Sequence, residues 1–232
     1  MNFIIEGIQK AFQLIFTLDK DIFVIVFLSL KVSTIAIFFS SLLGVFLGFL
    51  MAEKDFLGKN FIITLVNTLL ALPTVVVGLI VYSLISRKGP LGVLGMLFTP
   101  SAMIVGQFIL ATPIIIALTY SAVQGIDKRV RKTALTLGAT DSQSAWMVIK
   151  ETRYAVLAAV ITGFGRVIAE VGAAMMLGGN IKGSTRTMTT AIALETSKGE
   201  FGFGIALGII LLIIAFTINL LLHYFQNKKV GI

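Results

Sequence analysis

Five stretches of the 232-residue chain are each long and apolar enough to cross a bilayer: roughly 28–51, 60–85, 101–122, 155–177 and 203–225. No other feature narrows the fold so far. Inside hydrocarbon the backbone must pair its own N–H and C=O groups, so spanning segments are helices or strands of a closed barrel. The runs here are continuous rather than alternating. They predict an all-α integral membrane protein, one transmembrane domain over 21–227 with a five-helix core. Composition agrees, with 57% hydrophobic residues and only 13% charged, the latter about half the share in globular domains. Mean hydropathy is +0.99. With no cysteine, one histidine and no acidic cluster, neither a disulfide framework nor a metalloenzyme is expected. The net charge of +8 is not interleaved with exposed aromatics as a nucleic-acid surface requires. Basic flanks on membrane helices explain it better.

Residues 1–20 lack the basic start of a cleaved signal peptide, and Glu6 and Lys10 interrupt the apolar stretch. Phe3, Ile4, Gly7, Ile8, Ala11, Leu14, Ile15 and Leu18 recur at helical spacing. That pattern predicts an amphipathic helix on the membrane surface, with a sixth span as the alternative. The longest polar loop, 126–150, carries Lys128, Arg129, Arg131 and Lys132 beside a span end. The positive-inside rule puts it in the cytoplasm, so the N-terminus is expected outside and the C-terminus inside. Thr99 and Pro100 read as N-cap and first helical residue of the third span. Pro73 and Pro113, inside the second and third windows, should kink their helices.

Arg166 and Glu170 place opposite charges four residues apart in the fourth window, within "GFGRVIAEVGAAMML". Taken as one helix over 158–176, Val160, Phe164, Val167, Ile168, Val171 and Met175 share an apolar side. Ala158, Ala159, Thr162, Gly163, Gly165, Ala169, Gly172 and Ala173 surround the charges on the other. Small residues permit close helix approach. Charges among them mark either a polar pathway or a structural ion pair that joins two helices. Both readings stay open on the residues alone.

In the 126–150 loop, Thr140 followed by Gln143 has the capping-box pattern, and Gly138 would end a preceding helix over 128–137. Two short helices meeting at Gly138-Ala139-Thr140 would form a compact knob suited to docking on a soluble partner. His223 reads as an interfacial residue, since a lone histidine has no ligand partners.

The knob resembles the "EAA…G" loop of ATP-binding-cassette (ABC) importer permeases. The pattern falls on Lys132, Thr133, Ala134, Gly138, Val148, Lys150 and Glu151, with Lys132 in place of the usual glutamate and Glu151 in place of proline. The stretch "GRVIAEVGAAMMLGGNIKGSTRTMTTAIALET" resembles the equivalent part of molybdate, tungstate and sulfate permeases. It matches at Gly165, Arg166, Glu170, Gly172, Ala173, Gly179, Asn180, Ile181, Gly183, Thr185, Thr187, Ala191 and Ile192. "NTLLALPTVVVGL", from Asn67 to Leu79, is similar to a segment of the family's second core helix. In detail the chain looks most like the tungstate-specific permeases.

The resemblance implies a translocation subunit of the prokaryotic cytoplasmic membrane, not an enzyme. Its implied partners are a second copy of itself, two ATPase subunits and an extracellular or periplasmic oxyanion-binding protein. No G-x-x-x-x-G-K-[ST] occurs, so ATP and Mg are expected in the partner ATPase and no cofactor in this chain. The resemblance makes Arg166, Glu170, Thr162, Asn180, Thr185, Thr187 and Asn67 candidates for the pathway or its gate. Lys132, Thr133, Ala134, Leu137, Gly138, Ala139, Thr140 and Trp146 become candidates for ATPase coupling. Molybdate or sulfate is the alternative cargo. An ATP-independent channel or secondary transporter fits less well, because no internal repeat is visible. An intramembrane enzyme lacks a catalytic constellation.

Overall fold

In the computed structural model, residues 2–17 and 19–227 are described. Leu18, Lys228 and Lys229 lie outside the described residues, as do the side chains of Phe3, Ile4, Lys10, Lys128 and His223. The described residues form ten α-helices: α1 (Asn2–Phe16), α2 (Lys20–Glu53), α3 (Lys59–Leu70), α4 (Thr74–Ile85), α5 (Pro100–Gln124), α6 (Lys128–Thr136), α7 (Asp141–Ile168), α8 (Gly172–Gly178), α9 (Met188–Ser197) and α10 (Phe201–Asn227).

α2 and α5 are the central pair. Small residues on α2 make their close approach possible: Ser29, Ser33, Ala36, Ser40, Gly44 and Gly48 recur every three or four residues and are buried. A Cβ on Gly44 would lie 2.9 Å from Ile115 Cβ, and one on Gly48 only 2.7 Å from the Ile116 carbonyl oxygen. Ser40 Oγ donates to the Phe108 carbonyl at 3.2 Å and receives Thr112 Oγ1 at 3.3 Å. α7 packs across this pair, with Val167 and Gly163 beside Ile37 and Ile115. On the outside α2 shows Phe27, Phe38, Phe39 and Phe46, and α10 shows Leu212 and Phe216. Exposed apolar surface on that scale is what acyl chains cover.

Three sequence expectations change in detail. First, α1 is 15 residues long, about 22 Å, short of a hydrocarbon core of about 30 Å. It packs against α10 through buried Ala11 and through Leu14. Second, Pro73 does more than kink the second span: α3 and α4 are separate helices at 101°. Proline removes a donor and pushes the preceding Leu72 out of the α region. Pro113, by contrast, lies inside a continuous α5. Third, the fourth window of 155–177 is not one helix. α7 begins at Asp141, ends at Ile168 and is followed at 61° by α8.

The Thr99 cap is present, accepting the Ala102 N–H at 3.4 Å ahead of Pro100. Three candidate spans are single helices and two more are these bent pairs. Gly48→Ala is expected to destabilise the chain by about 1–3 kcal/mol through overpacking. Gly208→Ala, where a Cβ meets nothing within 4 Å, should be neutral. Reversible unfolding in mixed micelles measures both, and equal stabilities would discount the glycine seam.

Candidate functional site

The two breaks meet. α4 begins just after Pro73 and α8 just after Val171, and the helices lie side by side. A Cβ on Gly172 would sit 2.9 Å from Val75 Cγ2 and 3.0 Å from Thr74 Oγ1. Glycine is needed there for the two starts to touch. Arg166 stands in the last turn of α7, and Glu170 in the break itself. The pair therefore does not share one helix face, as a continuous 158–176 helix would require. It still closes, with Arg166 Nη1 3.3 Å from Glu170 Oε2. The reason is chemical: arginine complements the carbonyl end of α7, and glutamate the N–H end of α8. Glu170 Oε1 accepts the Ala173 N–H at 3.0 Å and so caps α8.

The environments of the two charges differ. Only 2% of the Glu170 side chain is exposed, against 44% of Arg166. Thr162, Gly165 and Ala169 are exposed with Arg166 along α7, and a Cβ on Gly165 would meet nothing within 4 Å. Ala159 and Gly163, placed by the wheel on this same small-residue face, are buried in the protein instead. The open strip is thus narrower than the sequence pattern: Thr162, Gly165, Arg166 and Ala169.

Backbone freed by the break is paired from neighbouring elements. The Val167 carbonyl accepts Gln107 Nε2 at 3.2 Å and the Glu170 N–H at 3.2 Å. The Glu170 carbonyl accepts Thr189 Oγ1 at 2.7 Å. Ser29 Oγ on α2 accepts the Met188 N–H at 2.8 Å, tying the start of α9 to the core. Sequence reasoning missed Gln107, Thr189, Ser29 and Thr74. A usable signal existed for Gln107, the one amide in the 101–122 span; a polar side chain in such a run requires a partner.

The remaining pathway candidates have other occupations. Thr185 is fully buried, donates to the Gly178 carbonyl and accepts the Ile181 N–H at 3.0 Å. Thr187 caps α9 in a capping box with Thr190. Asn180 has φ +52° and donates Nδ2 to the Thr190 carbonyl at 3.3 Å. These residues shape the segment between α8 and α9. Asn67 is exposed on α3, across the 101° bend from α4. Thr162 donates to the Ala158 carbonyl at 2.9 Å.

At the other end of α7, α6 is capped by Asp127, which accepts the Arg129 N–H at 2.9 Å. Gly138 turns the chain at φ +87°, a left-handed conformation suited to glycine. Thr140 and Gln143 form the expected capping box. The expected second short helix is not short, however, because the helix that starts there is α7, 28 residues long. Ala134 is buried, while Lys132, Thr133, Leu137, Gly138, Thr140 and Trp146 are exposed and Ala139 is half-buried. Leu137 is 81% exposed and Trp146 59%, an apolar surface beside cations at the tip.

These features define a class: a multi-pass, all-helical membrane protein with two broken helix pairs that meet beside a charge pair. Solved structures share the fold. An alginate ABC transporter aligns with a TM-score of 0.76 at 17% identity, over 97% of this chain and 88% of that one. The MetNI methionine ABC transporter in an inward-facing conformation aligns at 0.70 and 16% identity, over 87% of this chain and 93% of that one. Residues 44–230 match the model of the binding-protein-dependent transport system inner membrane component family, and the chain belongs to that family. It is a translocation component rather than an enzyme.

Among its relatives is the tungstate uptake system permease protein TupB of Campylobacter jejuni, 44% identical over 96% of this chain and 93% of the relative. TupB of Peptoclostridium acidaminophilum is 38% identical over 98% and 100%. The molybdenum transport system permease protein ModB of Escherichia coli is 30% identical over 82% and 90%.

Thr189→Val, which removes the donor to the Glu170 carbonyl, should destabilise the chain by about 1 kcal/mol. Gln107→Leu should do the same at Val167, and the two losses should be non-additive because they brace one break. Strict additivity in unfolding measurements would mean that the break is not a cooperative unit.

Proposed function

We propose that this chain is the membrane-spanning permease subunit of an ATP-driven importer that carries tungstate into the cell. The observation that carries the reading is the half-open Arg166 guanidinium at the junction of two broken spans, on a strip of Thr162, Gly165 and Ala169 that its own chain leaves uncovered. Broken helices near mid-span are where transporters build ion and substrate sites. The identity to TupB permeases supports tungstate over molybdate or sulfate.

The uncovered strip needs a second wall. A second copy, related by a two-fold axis, supplies it and brings two Arg166 side chains to one pathway. Each guanidinium offers forked donors and charge to a doubly negative oxyanion. Glu170, already hydrogen-bonded to the same guanidinium, offsets part of that charge, so the anion is attracted without being trapped.

Two ATPase subunits carrying ATP and Mg dock on the tip formed by Lys132, Thr133, Leu137, Gly138 and Trp146, and an extracellular binding protein delivers the cargo. The basic tip lies in the cytoplasm, with the N-terminus outside and the C-terminus inside. α7 joins tip to pathway directly: its 28 residues make a rod of about 42 Å. Displacement of the tip at Trp146, which lies on α7 itself, thus reaches Arg166 without crossing a loop.

Uptake by the reconstituted complex, with tungstate, molybdate and sulfate in competition, tests the reading. Arg166→Gln, whose amide can still donate to Glu170, should lower tungstate uptake by at least about tenfold, the loss of one charge-assisted contact, and the thermal stability of the same variant separates that loss from the cost of leaving a buried carboxylate without its cation. Full uptake by Arg166→Gln would remove the pair from the pathway. Glu170→Ala is a poorer probe, since it also uncaps α8. Gly138→Asp forces a side chain onto a left-handed residue and should cut co-purification of the ATPase; undiminished capture would exclude this tip as the docking element.

A further inference from the structure

α6 packs against α7 alone among its larger neighbours. On its other side a cavity of about 520 Å³ separates it from the ends of α2, α3 and α5, with Glu53, Asn60, Tyr120, Gln124 and Leu135 among its walls. Among the described residues, Arg131 crosses that gap. Arg131, on α6, pairs through Nη1 with Glu53 Oε2 at the end of α2, and through Nη2 with Asp141 Oδ1 at 3.4 Å in the first turn of α7. Glu53 is the best shielded of the three, with 17% of its side chain exposed. The end of α2 is in turn held to α5, since Gln124 Nε2 donates to the Ala52 carbonyl at 3.0 Å.

We propose that Arg131 is a positioning residue for energy coupling: it clasps the docking helix to the first and fourth spans at once, so that a push on α6 moves α2 and α7 together. The proposal rests on the permease reading above. The physical case is that a helix flanked by a cavity can tilt into it, and tilting would absorb the push before the spans feel it. A guanidinium is suited to this clasp because its planar fork holds two carboxylates in different directions, which an ammonium does not. The pathway does not need Arg131, which lies at the far end of α7 from Arg166.

The chain has no cysteine, so nitroxide labels can be placed by Asn60→Cys and Leu135→Cys on opposing walls of the cavity. In the assembled complex Arg131→Ala should broaden the label-to-label distance distribution. ATP hydrolysed per oxyanion imported should rise about tenfold, within the range that residues along a coupling element command, while hydrolysis itself stays near the wild-type rate. Arg131→Lys, keeping the charge but not the fork, should fall between. An unchanged distance distribution, or a ratio unchanged because hydrolysis and uptake fall in parallel, would overturn the clasp. A wild-type complex that hydrolyses ATP without importing any oxyanion would sink the permease reading instead, and the label distances would then judge the clasp by itself.

Discussion

Within hydrocarbon no water completes the hydrogen bonding of an interrupted helix, and the architecture depends on how that constraint is met. Two spans of this chain are interrupted, at 71–73 and 169–171. The first follows from proline chemistry and leaves its start uncapped by any side chain. The second contains no proline. It persists because Gln107, Thr189 and the Glu170 carboxylate pair with the very groups that a continuous helix would have paired internally.

The charge pair follows from the same constraint. A lone carboxylate at this depth is costly, yet Glu170 is almost fully buried. It is tolerated because its two oxygens have separate partners, one a backbone donor at a helix start and the other a guanidinium. Arginine then has half of its surface free. Within the pair Glu170 braces the break, and Arg166 faces out.

Hydropathy made the all-helical membrane class legible, because twenty apolar residues in water-free surroundings leave few choices. The resemblance at Gly165–Ile192 and at the 126–150 loop pointed to the family for the same residues that now frame the break and the tip. What sequence periodicity could not show was where a helix continues in polar surroundings. Residues 141–154 include Asp141, Gln143, Lys150, Glu151 and Arg153, and so read as a short helix within a polar loop, although they are the first half of α7. Nor could the pattern separate a threonine that lines a path from one that caps a turn. Thr162 remains on the open strip, whereas Thr185 and Thr187 are taken up by the backbone of the α8–α9 segment. Such assignments depend on which carbonyls lie nearby in three dimensions.

The placement of the second break at the end of a long rod has a mechanical consequence. A helix transmits axial and lateral displacement along its length but gives way where its hydrogen-bond ladder stops, and the few residues at such a stop can absorb large dihedral changes. α7 is unbroken from the capping box at Thr140 to Ile168. Anything that moves its first turn therefore moves Arg166 with it, while α8, anchored separately through Ala173, Ala174 and Leu177 in the α4–α5 core, is free to stay. The guanidinium would then shift relative to the carboxylate that neutralises it. On the permease reading proposed above, the separation of that ion pair sets how strongly an anion is held in the pathway.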